Sequence, residues 1–286
     1  MNFFEQICFK NHDFWILRDD LIGGEFNGNK ARKLAYFLDT NLNKFKRIIS
    51  YGSSQSNAMA SLSVFAKIKN LEFVYITDHI SDFLCQNPHG NYAFALQNGA
   101  KILFHKNRAE FAKNLATNLD LLIPEGVAMR EAEMGFKSQA KQISDFMEQN
   151  NIKFDVFLPS GTGVSAAFLA KNLPNCDIFT TPCVGDEKYL KKQISEFCDI
   201  SNLNNLHILN TAKKYHFAKP NLDLIQIWQD LLTQTNIKFE LIYDPVGWIC
   251  VFENLSVFKN KILYIHQGGL NGVQSQLLRY KRKNMI

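Results

Sequence analysis

Along most of the chain, short apolar runs alternate with longer stretches in which apolar residues recur every three or four positions. The short runs predict strands over 47–51, 71–77, 101–105, 121–124, 154–158, 178–181 and 262–265. The periodic stretches predict helices over 58–69, 91–98, from about 106 to 118, 138–149, 164–172, 188–197 and 222–233. Gly99 follows one of these helices at a place where glycine permits a left-handed cap. Strand and helix in regular alternation are the signature of βαβ units, so the fold class is α/β with mostly parallel sheets. A chain of 286 residues accommodates one large domain or two lobes, and no repeat, low-complexity tract or linker marks a boundary.

Charge and cysteine usage narrow the function classes. The net charge of +5 comes from 32 basic and 27 acidic residues spread along the chain. Arg279, Lys281, Arg282 and Lys283 form a short basic cluster that reads as a solvated end. No basic patch elsewhere suggests a nucleic-acid footprint. The six cysteines include no C-x-x-C pair, so neither a disulfide framework nor a metal site is expected. The N-terminus lacks the pattern of a signal peptide, and no apolar run approaches a membrane span, so a cytoplasmic protein without a membrane partner is expected.

Three loops carry candidate chemistry. Lys30, Arg32 and Lys33 crowd positive charge where a loop turns into a helix, against the preference of a helix N-terminus for acidic side chains. Solvated surface cations are one explanation. The other is a lysine driven neutral by burial and neighbouring charge, hence nucleophilic toward carbonyl compounds. Ser160-Gly-Thr-Gly163 joins a strand to a helix, where main-chain N–H groups can bind an anion. It is also compatible with a simple packing turn. The span 161–166 fits a loose G-x-G-x-x-A dinucleotide pattern with Asp186 farther on, which keeps a nicotinamide-dependent dehydrogenase as a rival. Between strand and helix at 51–57, Ser53, Ser54, Gln55, Ser56 and Asn57 exceed what one helix cap requires and offer a site for a small carboxylate.

Taken in order, these segments resemble the 1-aminocyclopropane-1-carboxylate deaminase and D-cysteine desulfhydrase family, within the fold type II, tryptophan-synthase-β-like pyridoxal phosphate enzymes. The resemblance runs through 18–24 with 28–34, Gln55-Ser-Asn57, Ile123-Pro-Glu-Gly126 with Gly135-Phe136, Gly161-Thr-Gly-Val-Ser165, Tyr243-Asp-Pro-Val246 as a late strand and turn, and His266-Gln-Gly-Gly269. It implies a two-lobed, three-layer α/β/α fold. Residues 1–45 and 141–286 would form a larger cofactor-binding lobe, and 46–140 a smaller substrate-side lobe. It also implies that Lys30 holds pyridoxal 5'-phosphate covalently and then serves as general base. Gln55 and Ser56 would hold the substrate carboxylate and Asn57 the cofactor's ring hydroxyl. Gly161, Thr162, Gly163 and Ser165 would surround the phosphate, with Gln267 beside the pyridine nitrogen. The implied partner is a small amino acid, the implied assembly a homodimer.

The implied reaction is release of a 2-oxo acid and ammonia, from D-cysteine or a similar β-substituted amino acid. Cyclopropane opening is the alternative, and a binding-only homologue a third reading. The chain departs from the family pattern after Asp244-Pro-Val246. The family's Tyr-Thr/Glu-Gly-Lys is replaced there by a stretch beginning Gly247-Trp248, which removes a tyrosine expected beside the substrate and counts against ring opening. The sequence leaves Trp248 as a core aromatic or a pocket wall, and His266 as an acid-base or a structural residue.

Overall fold

The computed structural model describes residues 3–23 and 28–286; Gly24, and the first residues of the basic stretch at 25–27, lie outside the described residues. Two sheets are seen. The first takes its strands in the spatial order Phe4–Phe9 (β1), His12–Arg18 (β2), Lys261–His266 (β10), Phe154–Ser160 (β7), Ile178–Pro182 (β8) and Leu206–Ile208 (β9). The second runs Lys101–Phe104 (β5), Glu72–Thr77 (β4), Arg47–Tyr51 (β3) and Asp120–Ile123 (β6). Among the described residues only β1 and β2 pair antiparallel; the other pairings are parallel.

Parallel strands need crossovers, and the periodic stretches supply them. The helices are Gly28–Asp39 (α1), Asn57–Ile68 (α2), Asp82–Gln86 (α3), Gly90–Gln97 (α4), Arg108–Leu115 (α5), Glu133–Asn150 (α6), Val164–Asn172 (α7), Glu187–Ser195 (α8), Leu222–Thr235 (α9), Asp244–Glu253 (α10) and Gly272–Arg282 (α11). With helices on both faces, central strands read as continuous apolar runs. In β7 every residue is buried.

The strand orders place the site. In the second sheet the chain steps from β3 to β4 to β5 on one side, then returns to put β6 on the other side of β3. In the first it steps from β7 to β8 to β9 and returns to put β10 on the opposite side of β7. At such reversals the loops leaving the carboxyl ends of adjacent strands diverge and open a crevice. The loops concerned are 52–56 with 124–127, and 161–163 with 267–271.

All seven expected strands and all seven expected helices are present, shifted at their ends by a few residues. The hairpin of β1 and β2, the short β9, and helices α1, α3, α10 and α11 complete the fold. The reading of 243–246 as a late strand and turn is corrected: Asp244 and Pro245 open α10, with proline in the first turn, where its missing N–H costs nothing. The basic cluster at 279–283 is exposed, as expected of a solvated end, and α11 carries it to Arg282.

Candidate active site

The two crevices merge into one cavity of about 520 Å³. The site residues implied by the resemblance all lie on its wall: Lys30 from α1; Gln55, Ser56 and Asn57 at the start of α2; Gly161, Thr162, Gly163 and Ser165 at the start of α7; and Gln267 after β10.

Lys30 is held by a chain of contacts that begins with glycine. Gly28 has φ +65°, and a Cβ there would lie 2.0 Å from the Gln267 carbonyl oxygen, so only glycine lets α1 begin against this loop. The Asn29 N–H donates to that carbonyl at 2.9 Å. Asn29 Nδ2 donates to Gln267 Oε1 at 3.0 Å, and Gln267 Nε2 donates to the Pro159 carbonyl at 2.7 Å. Lys30 Nζ donates to Asn29 Oδ1 at 2.9 Å. Burial lowers the Lys30 pKa to about 8, with Glu240 opposing the shift. A minority of the amine, on the order of a tenth, is therefore neutral near pH 7, far more than for an ordinary lysine.

The solvated-cation explanation fails for all three basic residues. Lys33 is 3% exposed and donates to the Gly126 carbonyl at 2.7 Å; burial, then the charge of Lys30, pushes its pKa well below the ordinary lysine value. Arg32 pairs with the buried Asp19 at 2.8 Å and also donates to Gln142. Gln139 completes this cluster by donating to Asp19 at 2.7 Å.

The two polar loops differ in what they leave free. Gly163, at φ +77°, precedes α7 without any side-chain cap. A Cβ on Gly161 would lie 3.2 Å from Tyr243 Cε1 and Oη, so this turn forms a close-fitting cradle beneath the tyrosine. At α2 the Ser56 hydroxyl already accepts from the N–H groups of Ala58 and Met59. Asn57 Oδ1 accepts from Asn91 at 2.6 Å, while its Nδ2 has no acceptor among the described residues. Gln55 braces the segment leading into α4, donating to the His89 carbonyl at 3.1 Å and accepting from the Tyr92 N–H at 3.3 Å.

No family model matches the chain. A Pyrococcus furiosus protein described as "Putative 1-aminocyclopropane-1-carboxylate deaminase" is 23% identical over 91% of this chain and 85% of its own length. Among solved structures, an ACC deaminase homologue superposes with a TM-score of 0.75 at 23% identity, covering 96% of this chain and 89% of the other. A hydrogen sulfide-producing enzyme from Fusobacterium nucleatum does so with a TM-score of 0.67 at 14% identity, covering 94% and 96%. The chain has the fold of the fold type II pyridoxal phosphate enzymes.

Within this fold type II frame, the rival dinucleotide reading loses its acidic residue. Asp186 accepts from the Tyr189 N–H at 2.8 Å and caps α8. Two open questions also close. Trp248 is a core aromatic, fully buried and stacked on Tyr264 with ring centroids 4.3 Å apart. His266 is structural: its Nε2–H donates to the Lys238 carbonyl at 2.9 Å, its Nδ1 accepts from the Gly268 N–H, and its ring stacks on Phe239. A Cβ on Gly247 would meet Tyr264 Oη at 2.5 Å, so the position where the family carries tyrosine faces the core here.

Sequence reasoning missed Glu240 and Tyr243 as cavity residues. Glu240 is 4% exposed; its Oε1 accepts from the N–H groups of Ile242, Tyr243 and Asp244, preceding α10. Burial raises its pKa, and those N–H groups and Lys30 hold the rise in check. The only signal was an acidic residue set in the apolar run 239–242. Tyr243 restores a cavity hydroxyl from a different position, kept protonated by burial and by Glu240. Among the described residues there is no cluster of metal-ligating side chains and no helix long and apolar enough to cross a membrane.

Proposed function

We propose that this chain is a pyridoxal phosphate-dependent lyase or deaminase acting on a small amino acid. The observation that carries the reading is a half-buried Lys30 of lowered pKa sharing one cavity with an uncapped helix start. The residues present fit the cofactor. The Gly161–Gly163 turn with Ser165 offers main-chain donors for a phosphate, and its glycines keep free the space a Cβ would fill. The free Nδ2 of Asn57 would suit a ring oxygen and Lys30 covalent attachment, while Gln267, its amide engaged by Asn29 and the Pro159 carbonyl, would reach the pyridine nitrogen only by giving up one of these contacts. Residues 1–45 with 141–286 would form the cofactor lobe, 46–140 the substrate lobe, and a homodimer the assembly.

When bound, pyridoxal phosphate supplies an electron sink for charge developing at the substrate Cα. The rest is work for the chain. Lys30, once released from its covalent role, takes the Cα proton as general base, which its lowered pKa allows near neutrality. Lys33 stays fixed on the Gly126 carbonyl and contributes a donor to the cavity wall. Ser56 and Gln55 orient the substrate carboxylate from the start of α2. Glu240 holds a proton close to Lys30 and can return it to the leaving group or product.

Within this class we favour elimination from D-cysteine or a similar β-substituted amino acid, giving a 2-oxo acid and ammonia. The burial of Gly247 where the family carries a tyrosine supports this choice. Ring opening of 1-aminocyclopropane-1-carboxylate is the second reading, supported by the Pyrococcus relative and by Tyr243, whose hydroxyl faces the same cavity. Borohydride trapping followed by mass spectrometry tests the class: wild type gains one cofactor at Lys30, and Lys30→Ala gains none. Equal labelling of both would end it. Comparing 2-oxo acid release from D-cysteine, L-cysteine and the cyclopropane amino acid separates the two finer readings.

A further inference from the structure

One wall of the cavity has no task in the chemistry above. Helix α11 turns Ser275 and, one turn on, Arg279 toward the cavity from the same face. Ser275 is 5% exposed, and its hydroxyl has no hydrogen-bond partner among the described residues. Arg279 donates from Nη1 to the Ala218 carbonyl at 3.1 Å, and among the described residues no carboxylate pairs with it. Ala218 itself has φ +55°, a left-handed conformation rare outside glycine, and its carbonyl also accepts from the buried Gln276 at 3.1 Å. The arginine is exposed, and this contact anchors one of its five N–H donors and leaves the others free for a ligand.

The other cavity arginine shows the contrast. Arg108 is neutralised by Asp78 at 2.6 Å and Glu125 at 3.0 Å. Arg279 instead faces Arg282, whose guanidinium lies 3.5 Å over the Phe83 ring and adds positive charge. An unpaired guanidinium and an unsatisfied buried hydroxyl on one helix face together ask for an anion with several acceptor oxygens.

The site is next to the expected substrate loop. A Cβ on Gly90 would lie 2.0 Å from Ser275 Oγ and 3.1 Å from Gln55 Oε1, so Ser275 and Gln55 flank the same glycine. The Gln55–Ser56 end is taken by the substrate's own α-carboxylate in the reading above. An anion at Arg279 is then a second one on the same molecule. We propose that the substrate is an amino acid whose side chain ends in an anionic group, a carboxylate or phosphate, received by Arg279 and Ser275. This rests on the proposed amino-acid chemistry and narrows it: neutral D-cysteine would fill the reaction centre and leave the α11 wall unsatisfied.

The test is calorimetric binding to the full-length protein, with and without added pyridoxal phosphate. It uses both enantiomers of aspartate against asparagine and of O-phosphoserine against serine. Wild type is expected to bind the better acidic ligand at least about tenfold more tightly than its neutral counterpart, the size of one charge-assisted contact. Arg279→Gln should reduce that ratio to about twofold without changing affinity for the neutral ligand. Arg279→Lys should restore part of it, and Arg282→Gln should leave most of it in place. Aspartate against O-phosphoserine tells carboxylate from phosphate. No acidic preference in wild type overturns the proposal. So does equal weakening of acidic and neutral ligands by Arg279→Gln, which would assign Arg279 to the α-carboxylate. Failure of the cofactor reading shows separately, as missing borohydride labelling at Lys30 with the acidic preference intact.

Discussion

The starts of α2 and α7 are built alike and left in different states. Both follow a parallel strand at a point where the strand order reverses, and both face the same cavity. At α2 the Ser56 side chain satisfies two first-turn donors. At α7 the cap is Gly163 in the left-handed region, and no side chain reaches back. A helix start carries partial positive charge and unpaired N–H groups; whichever end is not capped from within remains available to a ligand anion. The capped end can take a small carboxylate with help from side chains, whereas the uncapped end suits a doubly charged phosphate.

Replacing Lys30 is expected to have the largest effect, because both ends serve a reaction centred there. Lys30→Ala should lower turnover on the order of 10³-fold or more, the loss of a nucleophile and base together. If 2-oxo acid release survives at near wild-type rate, the two helix starts do not flank a lysine-centred site. Next comes Gly163→Val, which forces a β-branched residue to φ +77° and sets its Cβ 2.5 Å from Ile194. It should cost about 2–3 kcal/mol in denaturant unfolding and weaken retention of pyridoxal phosphate about tenfold or more.

The matching change at the other helix should behave differently. Ser56→Ala is expected to cost about 1 kcal/mol of stability, the ordinary value of an N-cap, while cofactor retention changes little. Phosphate protection against urea unfolding compares the two variants directly. Should Ser56→Ala lose cofactor and Gly163→Val keep it, the assignment of anion to α7 is reversed.

The smallest expected effect is on pH dependence. The Lys30 pKa in the folded chain, about 8, lies below its ordinary value of 10.5. Between these values the unfolded chain holds more protons, so stability of the cofactor-free protein should rise with pH across that window. Lys33 is shifted in the same direction and adds to the slope. Lys30→Met should flatten the slope without abolishing it, as read by unfolding free energy at pH 8 and above. A slope unchanged by the substitution would mean that Lys30 is not desolvated.

Much of the frame was legible in the sequence because periodicity reports which face of an element is covered. The strand at 154–158 and the helix at 164–172 were evident from apolar runs, and the Ser160–Gly163 loop between them followed. Less legible were elements whose apolar positions are interrupted. In β1, FEQICF buries only its first, fourth and last residues, as an edge strand does, and gives no clean signal. The exposed basic residues of α11 read correctly as solvated, but nothing local shows that Arg279 also borders a cavity or that Arg282 lies over the Phe83 ring. Glu240 was invisible as a site residue because nothing local says that a lone acid in an apolar run will meet a lysine from 210 residues earlier.

By itself the sequence determined the α/β class, the loops able to hold an anion, and the unusual crowding of cations at 30–33. It could do so because propensity, capping and periodicity act over a few neighbours. Tertiary structure decided which cations lose their water. Lys30 opens on the cavity, Lys33 is locked on a carbonyl and Arg32 is matched by Asp19, although the three lie within one turn of helix. The difference arises because desolvation and charge pairing depend on what the rest of the chain brings against each side of that turn, and no local pattern records it.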